Sequence, residues 1–404
     1  MRPISIEELH KFIGCMLLIG LFKGKNSRLN EFFTLEYGIP IIRENITYDR
    51  CRKIIRVLRF DILSRRNKQD RIPPIRLFFE KIIMNFQKSY VPNLDLTIDE
   101  QLVTFRGRCR FKMYIPSKPG SYGIKIWAMC DSRNSYLYNA KIYAGKIGEI
   151  SEKNQGENIV KELSIPILKS GRNITMDNFF TTHSLARYFL SQNITVVGTV
   201  RKNKKFLPIS FQSSKGNEND VNYIYQKDLM IIKYNQKKNK SVVLLSTQHS
   251  RPDINDSTKK PEIIHYYNSN KSGVDTLDQL IRCYSCKRAS KRWPMAIFFN
   301  MIDIVAYNAF ILFTQKNPQY IKKYKNKSRR ELIKDLTKEM INSCIDEDSK
   351  SDKKEESEAN VHGRCAYCPK PRPKTRVVCQ NCHKPACSEH RISIILCKIC
   401  RNEY

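Results

Sequence analysis

The sequence predicts a multidomain α/β chain: a sheet core between two stretches of helix, closed by a small metal-stapled module. Helical periodicity runs over the first ninety residues and gives way near Leu94 to strand patterns. Those strands first follow one another and then alternate with helices, the order of a mixed α/β sheet. Seven of the 14 cysteines crowd between Cys365 and Cys400.

Ser5 and Glu8 form a capping-box pattern ahead of Leu9, Phe12, Ile13, Met16 and Leu17. Thr47 can cap a second helix with Cys51, Ile54, Ile55 and Leu58 on one face and Arg50, Arg52, Lys53, Arg56 and Arg59 on the other. Pro74 opens a third helix over PIRLFFEKIIMNFQKSY. Residues 1–93 are thus the first part of a helical domain. DLTIDEQL, CRFKMYI, GIKIWAMCD and SYLYNAKIY then read as strands parted by Gly, Pro, Ser and Asn. GENIVKEL is helical, NITMDNF a strand, THSLARYFLSQ a helix and ITVVGTV a strand, so 94–200 is the first part of the core.

Residues 201–262 are predicted as a β-rich insertion, with short strands YIYQ, LMIIKY and VVLLS among loops. Residues 263–284 return to the core through the helix SGVDTLDQLIRCYS. Residues 285–345, with a helix from Pro294 to Gln315, complete the helical domain. Residues 346–362 include DEDSKSDKKEESE, a solvated linker unable to form a core. Residues 363–404 hold the cysteine cluster.

Lys and Arg number 72 against 39 Asp and Glu, a formal charge of +33. Such an excess predicts a polyanionic partner, nucleic acid before an anionic membrane surface; a lysine-biased genome would give the same excess without a partner. FIGCMLLIGLF is too short to span a bilayer, and Asn300, Asp303 and Asn308 interrupt the longer run after Trp293. No membrane partner is expected, and no signal peptide is evident. An intracellular chain keeps its thiols reduced.

The terminal spacing is Cys365-x2-Cys368, Cys379-x2-Cys382, Cys387-x2-His390 and Cys397-x2-Cys400. Four ligand pairs suit two tetrahedral Zn2+ ions. A cross-brace would give Cys365, Cys368, Cys387 and His390 to one ion and Cys379, Cys382, Cys397 and Cys400 to the other; a sequential arrangement is the alternative. About 40 residues bury little apolar surface, so two structural Zn2+ would supply the folding free energy. Arg372, Lys374 and Arg376 decorate this module and suit DNA phosphates.

Acidic islands stand out in so basic a chain: Asp99 in a strand, Asp177 at the end of another, and Asp275 with Asp278 at i,i+3 on a helix. Crowded carboxylates call for a cation between them. Hard ions such as Mg2+ or Mn2+ prefer such oxygens and leave positions open to phosphate. Any one Asp also reads as a cap or a surface charge, and periodicity does not choose among them.

LTIDEQLVTFRGR, YIPSKPGSYGIKIW, GRNITMDNFF and KSGVDTLDQL with SKRWPMAIF, in this order, resemble the piggyBac family of DDE transposases, and the likeness extends to the cysteine module. The resemblance implies an RNase H-like catalytic core that gathers Asp99, Asp177 and Asp275 around two Mg2+ (or Mn2+) ions, with Asp278 as a fourth catalytic and metal-binding carboxylate that completes or supports the site. It implies a split helical domain for DNA binding and dimerisation, hence a homodimer. Its substrates would be double-stranded DNA, both transposon terminal repeats and target. Chemistry would run by cut-and-paste phosphoryl transfer: one strand is cut, the freed 3′-hydroxyl forms a hairpin, the hairpin reopens and the ends join TTAA targets. Trp293 matches the family's RWP motif and would stack on unpaired DNA; a core tryptophan is the other reading. Arg106, Arg108, Arg110, Lys118, Lys125, Lys291 and Arg292 would contact DNA, or serve only as solvated charge.

The sequence starts almost at the first helix, where the family usually carries a long acidic leader; a truncated product, a fragment, and a decayed or domesticated DNA-binding relative without cleavage are all open readings. A ubiquitin ligase or histone reader is a third reading, suggested only by the cross-brace pattern. KKYKNKSRR and KRASKR point to the nucleus.

Overall fold

In the computed structural model, residues 3–67, 69–145, 154–255 and 260–342 are described, together with 363–364, 368–369 and 374–375. The chain divides into two units, Met1–Ser343 and Cys344–Tyr404.

The first unit starts with helices α1 (Ile6–Leu21), α2 (Pro40–Asn45), α3 (Tyr48–Val57) and α4 (Arg76–Ser89). Ser5 and Thr47 cap α1 and α3, their hydroxyls accepting from the Glu8 and Arg50 amides. Strands β1 (Asp95–Thr104), β2 (Lys112–Tyr114), β3 (Tyr122–Asp131) and β4 (Leu137–Ile142) follow. Next come α5 (Gln155–Ser164), β5 (Asn173–Met176), α6 (His183–Ser191), β6 (Thr195–Val200) and α7 (Ile209–Gln212). β7 (Val221–Gln226), β8 (Leu229–Lys237) and β9 (Lys240–Ser246) precede α8 (Glu262–Asn270), α9 (Gly273–Cys283), α10 (Trp293–Lys316), α11 (Pro318–Tyr324) and α12 (Ser328–Asn342).

All nine strands share one mixed sheet in the order β2-β3-β1-β5-β6-β9-β8-β7, with β4 also on β3. β1 is antiparallel to β3 and parallel to β5; β5 is parallel to β6. β7–β9 continue this sheet through the antiparallel pairing of β9 with β6. The fold is therefore mixed α/β. Its largest apolar cluster joins the sheet to α4, α5, α6, α9 and α10 through residues such as Ile98, Ile126, Phe180, Leu277 and Ile297.

A second cluster joins α1 and α3 to α10 and α12, through Phe12, Ile19, Cys51, Phe299 and Ile341. The two ends of this unit thus share one core across some three hundred residues of sequence. Helix α10 is long and apolar enough to cross a membrane by length and composition, yet 61% of that apolar window is buried inside the protein. Its polar residues are engaged within: Asn308 bonds both backbone groups of Leu137, and Asp303 accepts from Ser285 and Cys286.

Of the second unit, β10 (Gly363–Arg364) pairs antiparallel with β11 (Lys374–Thr375), and Cys368 is buried. The other seven predicted zinc ligands, Cys365, Cys379, Cys382, Cys387, His390, Cys397 and Cys400, lie outside the described residues, as do Arg372 and Arg376.

Candidate active site

The central parallel pair sets up the site. Ile98 pairs with Met176, so Asp99 and Asp177 follow at the next positions of neighbouring strands. Residues level with one another across a ladder share a face. Thr97, Asp99 and Gln101 therefore look out on one side of β1, and Asp177 joins them from the end of β5. Helix α9 covers that side of β1. Thr97 donates to the Lys271 carbonyl just before α9, and Gln101 donates to Asp278 within it. Asp275 lies in the first turn of α9.

Gly273 makes that approach possible. A Cβ there would stand 2.4 Å from the Thr97 methyl, which is buried and held by its own hydroxyl bond. Gly273→Ala is expected to cost about 1–3 kcal/mol by overpacking and to push Asp275 away from β1. Thermal melting checks the cost, and an unchanged melting temperature refutes it.

Each carboxylate is held by its own local device. Asp99 Oδ1 accepts from the Glu100 amide at 2.7 Å. Asp177 Oδ1 accepts from the Phe179 amide at 2.9 Å, while the Asp177 carbonyl takes the Thr181 hydroxyl at 2.8 Å, which closes a tight turn. Asp278 is 7% exposed and accepts from Gln101 Nε2 at 2.5 Å. Asn300 of α10 donates in turn to Gln101 at 3.0 Å, and Arg282 stands 3.6 Å from Asp278. Asp275 is 62% exposed and pairs with Lys118 Nζ at 2.8 Å.

The electrostatics betray crowding. Burial, then the Glu100 charge, pushes the Asp99 carboxyl up to about 8, against the pull of Lys118; Asp275 adds to the rise. Burial also raises Asp177, where the Phe179 amide opposes it and Glu100 adds to it. Asp278 is raised by burial, with Gln101, Arg282 and Lys118 opposing. Glu100 acts on both strand aspartates; the sequence marks it as acidic beside Asp99, but sequence reasoning assigned it no role. Among the described residues, no three His, Cys, Asp or Glu side chains converge on one point to hold a metal ion.

The predicted DNA-contact residues fall into two groups. Arg106, Arg108 and Lys291 line one open groove of about 940 Å3 together with Lys112, Lys287 and Arg288, and no carboxylate lines it. Arg110 is exposed close by in the chain. Lys118, Lys125, Arg292 and Trp293 are engaged within the protein. Lys118 is bound to Asp275. Lys125 is buried with Nζ 3.7 Å from the Trp127 ring centre and 4.6 Å from that of Tyr143. Arg292 donates to the Ile55, Arg56 and Leu58 carbonyls at the end of α3. Trp293 stands edge-on to Phe111, with ring centres 5.0 Å apart. Lys374 lies in β11.

Known proteins share this architecture. A family model described as transposase IS4 matches residues 1–310. The human piggyBac transposable element-derived protein 3 is 22% identical over 331 residues, covering 76% of this chain and 55% of its own length. A human chimeric ERCC6-PGBD3 protein is likewise 22% identical over 331 residues, covering 76% of this chain and 31% of its own. The chain thus spans about half the length of the first curated relative and about a third of the second. A cryo-EM structure of a piggyBac transposase synaptic complex with hairpin DNA superposes with a TM-score of 0.81 at 33% identity, covering 97% of this chain and 88% of that one. By the extent of these matches, and with its acidic motifs gathered on one side of a mixed sheet, the chain belongs to the piggyBac family of DDE transposases.

Proposed function

We propose that this protein cuts and joins DNA ends by phosphoryl transfer at the face of the sheet that carries Asp99, Asp177 and Asp275. One observation carries the reading: Asp99 within β1 and Asp177 just past the end of β5 stand level on parallel strands, beneath a helix whose first turn carries a third carboxylate. The strand order β4-β3-β1-β5-β6, three antiparallel and two parallel with helices between, supports an RNase H-like core.

The donor set fits divalent ions. It is all carboxylate oxygen and partly buried, and burial first, then the neighbouring Glu100 charge, raises the Asp99 and Asp177 carboxyls. Asp99, Asp177 and Asp275 would hold two Mg2+ (or Mn2+) ions, which when bound offset the phosphate's charge and lower the pKa of the attacking oxygen. Asp278 supports β1 through Gln101. Arg106, Arg108 and Lys291 hold the DNA backbone in their groove. The eight cysteine and histidine ligands bind two structural Zn2+ ions, and that module adds affinity for the terminal repeat. The solved relative is a synaptic complex with hairpin DNA; by analogy this chain works as a nuclear homodimer on transposon ends and TTAA targets.

The deciding experiment incubates the protein with duplexes bearing the element's terminal repeats. Strand nicking that needs Mg2+ or Mn2+ and stops with chelator is the expected result. Tight binding without nicking under every divalent condition would instead select a domesticated or decayed transposase-derived protein that binds without cleaving. The lack of a converged ligand group among the described residues is what favours that second reading.

The groove makes its own prediction. Arg108→Ala and Lys291→Ala each remove one phosphate contact, so the slope of log affinity against log salt becomes shallower by about 1 per substitution. Filter binding from low to moderate salt measures it, and an unchanged slope places the DNA elsewhere.

A further inference from the structure

Asp275 is paired with Lys118. That lysine lies on the turn between β2 and β3, and the turn is stiff. Ile115 and Ser121 bond across it at 2.8 Å, the Lys118 amide donates to Ile115 at 3.2 Å, and the Lys118 carbonyl accepts from Ser121 at 3.0 Å. Ser121 and Gly120 sit at φ +50° and +92°, conformations that hold the turn in one shape. The Lys118 side chain is only 12% exposed. Its ammonium lies within electrostatic reach of Asp99, Glu100, Asp275 and Asp278. Of the paired groups Asp275 is the more exposed, with its solvent side open. Beside the pair is a cavity of about 450 Å3 bounded by Lys118, Pro119, Asp275, Asp278, Gln279 and Arg282.

We propose that Lys118 is a built-in counter-ion that holds Asp275 until divalent cations arrive, so that loading the site requires the Lys118–Asp275 pair to open. The inference rests on the metal-dependent reading above. A cation surrounded by the same carboxylates competes with any other for them. Two ligands that oppose each other at one site are linked, and each weakens the other by the same factor. The ammonium therefore lowers affinity for divalent ions in the free protein and keeps the carboxylates from repelling one another. The adjoining cavity gives it somewhere to go on release. Lys118 is a positioning residue, acting through Asp275.

The test uses the full-length protein without DNA and Mn2+ as the probe, with free Mn2+ followed by electron paramagnetic resonance. Lys118→Met keeps the apolar stem and removes the charge. It is expected to bind Mn2+ about tenfold more tightly than wild type. It is also expected to melt lower in metal-free buffer and to gain more melting temperature from added Mn2+. Lys118→Arg keeps the charge and should bind Mn2+ as wild type does. Equal or weaker Mn2+ binding by Lys118→Met overturns the proposal. So does a variant that loses only DNA affinity, which would make Lys118 a phosphate ligand. Asp99→Asn in the Lys118→Met background separates the two readings: it should abolish the gain. If Mn2+ binding ignores Asp99 in every background, the metal-site reading itself fails and this proposal falls with it.

Discussion

Asp177→Asn abolishes strand cleavage and leaves the protein folded. Asparagine is nearly isosteric, and its Oδ1 can still accept from the Phe179 amide, so the turn after β5 survives. What disappears is the negative oxygen that the proposed phosphoryl transfer requires of Asp177. Loss of such a group is expected to cost about 10³-fold or more in rate. Single-turnover nicking gives the rate, and thermal melting confirms the fold. A variant within tenfold of wild type would remove Asp177 from the chemistry. Asp99→Asn should be equally inactive, with an added signature. Burial and Glu100 both work against the Asp99 charge, so neutralising it should raise the melting temperature. Gain of stability with loss of function is the mark of a residue kept for its chemistry.

The second large effect concerns Asp303, buried on α10. Its carboxylate accepts from the Ser285 hydroxyl at 2.6 Å and the Cys286 amide at 2.8 Å. It thereby fastens the segment that carries Lys287, Arg288 and Lys291 into the basic groove. It also offsets the charges of Arg329, Arg288 and Lys287. Asp303→Leu strands those donors and cations together, and breaking such a buried set costs about 3–5 kcal/mol. Urea unfolding should show it, and a loss under 1 kcal/mol would contradict it.

The pH dependence of Asp303 has a definite sign. Burial raises its carboxyl to about 6 from an ordinary 3.8, with the Cys286 and Ser285 bonds opposing. A raised acid stabilises the fold through its protonated form. That contribution is complete below the unfolded value and is lost as pH climbs through about 6. Relative to Asp303→Asn, the wild type should therefore gain up to about 3 kcal/mol between pH 7 and pH 4. A flat difference across that range refutes the assignment.

Much of this architecture was legible from local pattern. Ser5 and Thr47 announced their helices because capping is a short-range bond. The strands of the core could be read from alternation of side chains. Helix α8 escaped notice: EIIHYYNSN is nine residues long, begins after a proline with no side-chain cap, and is rich in β-branched and aromatic residues. The pairing of β9 with β6 also escaped, because period-two patterns assign faces but not neighbours. Charge pattern could not single out the aspartates; the family motifs did that. Lys118 and Asp275 lie 157 residues apart, and nothing local to either marks them as a pair. Arg292 looked like a free surface cation, yet tertiary contact commits it to the end of α3.

The parallel pairing of β1 with β5 has a consequence for biosynthesis. Both strands leave the ribosome well before α9: 275 − 177 = 98 residues separate the second aspartate from the third. At the usual pace of elongation that interval lasts about 5–20 s. A nascent or prematurely terminated polypeptide can therefore fold its central ladder with two carboxylates in position and yet lack the third. Synthesis itself delays completion of the acidic site until the helix seated on Gly273 has been made.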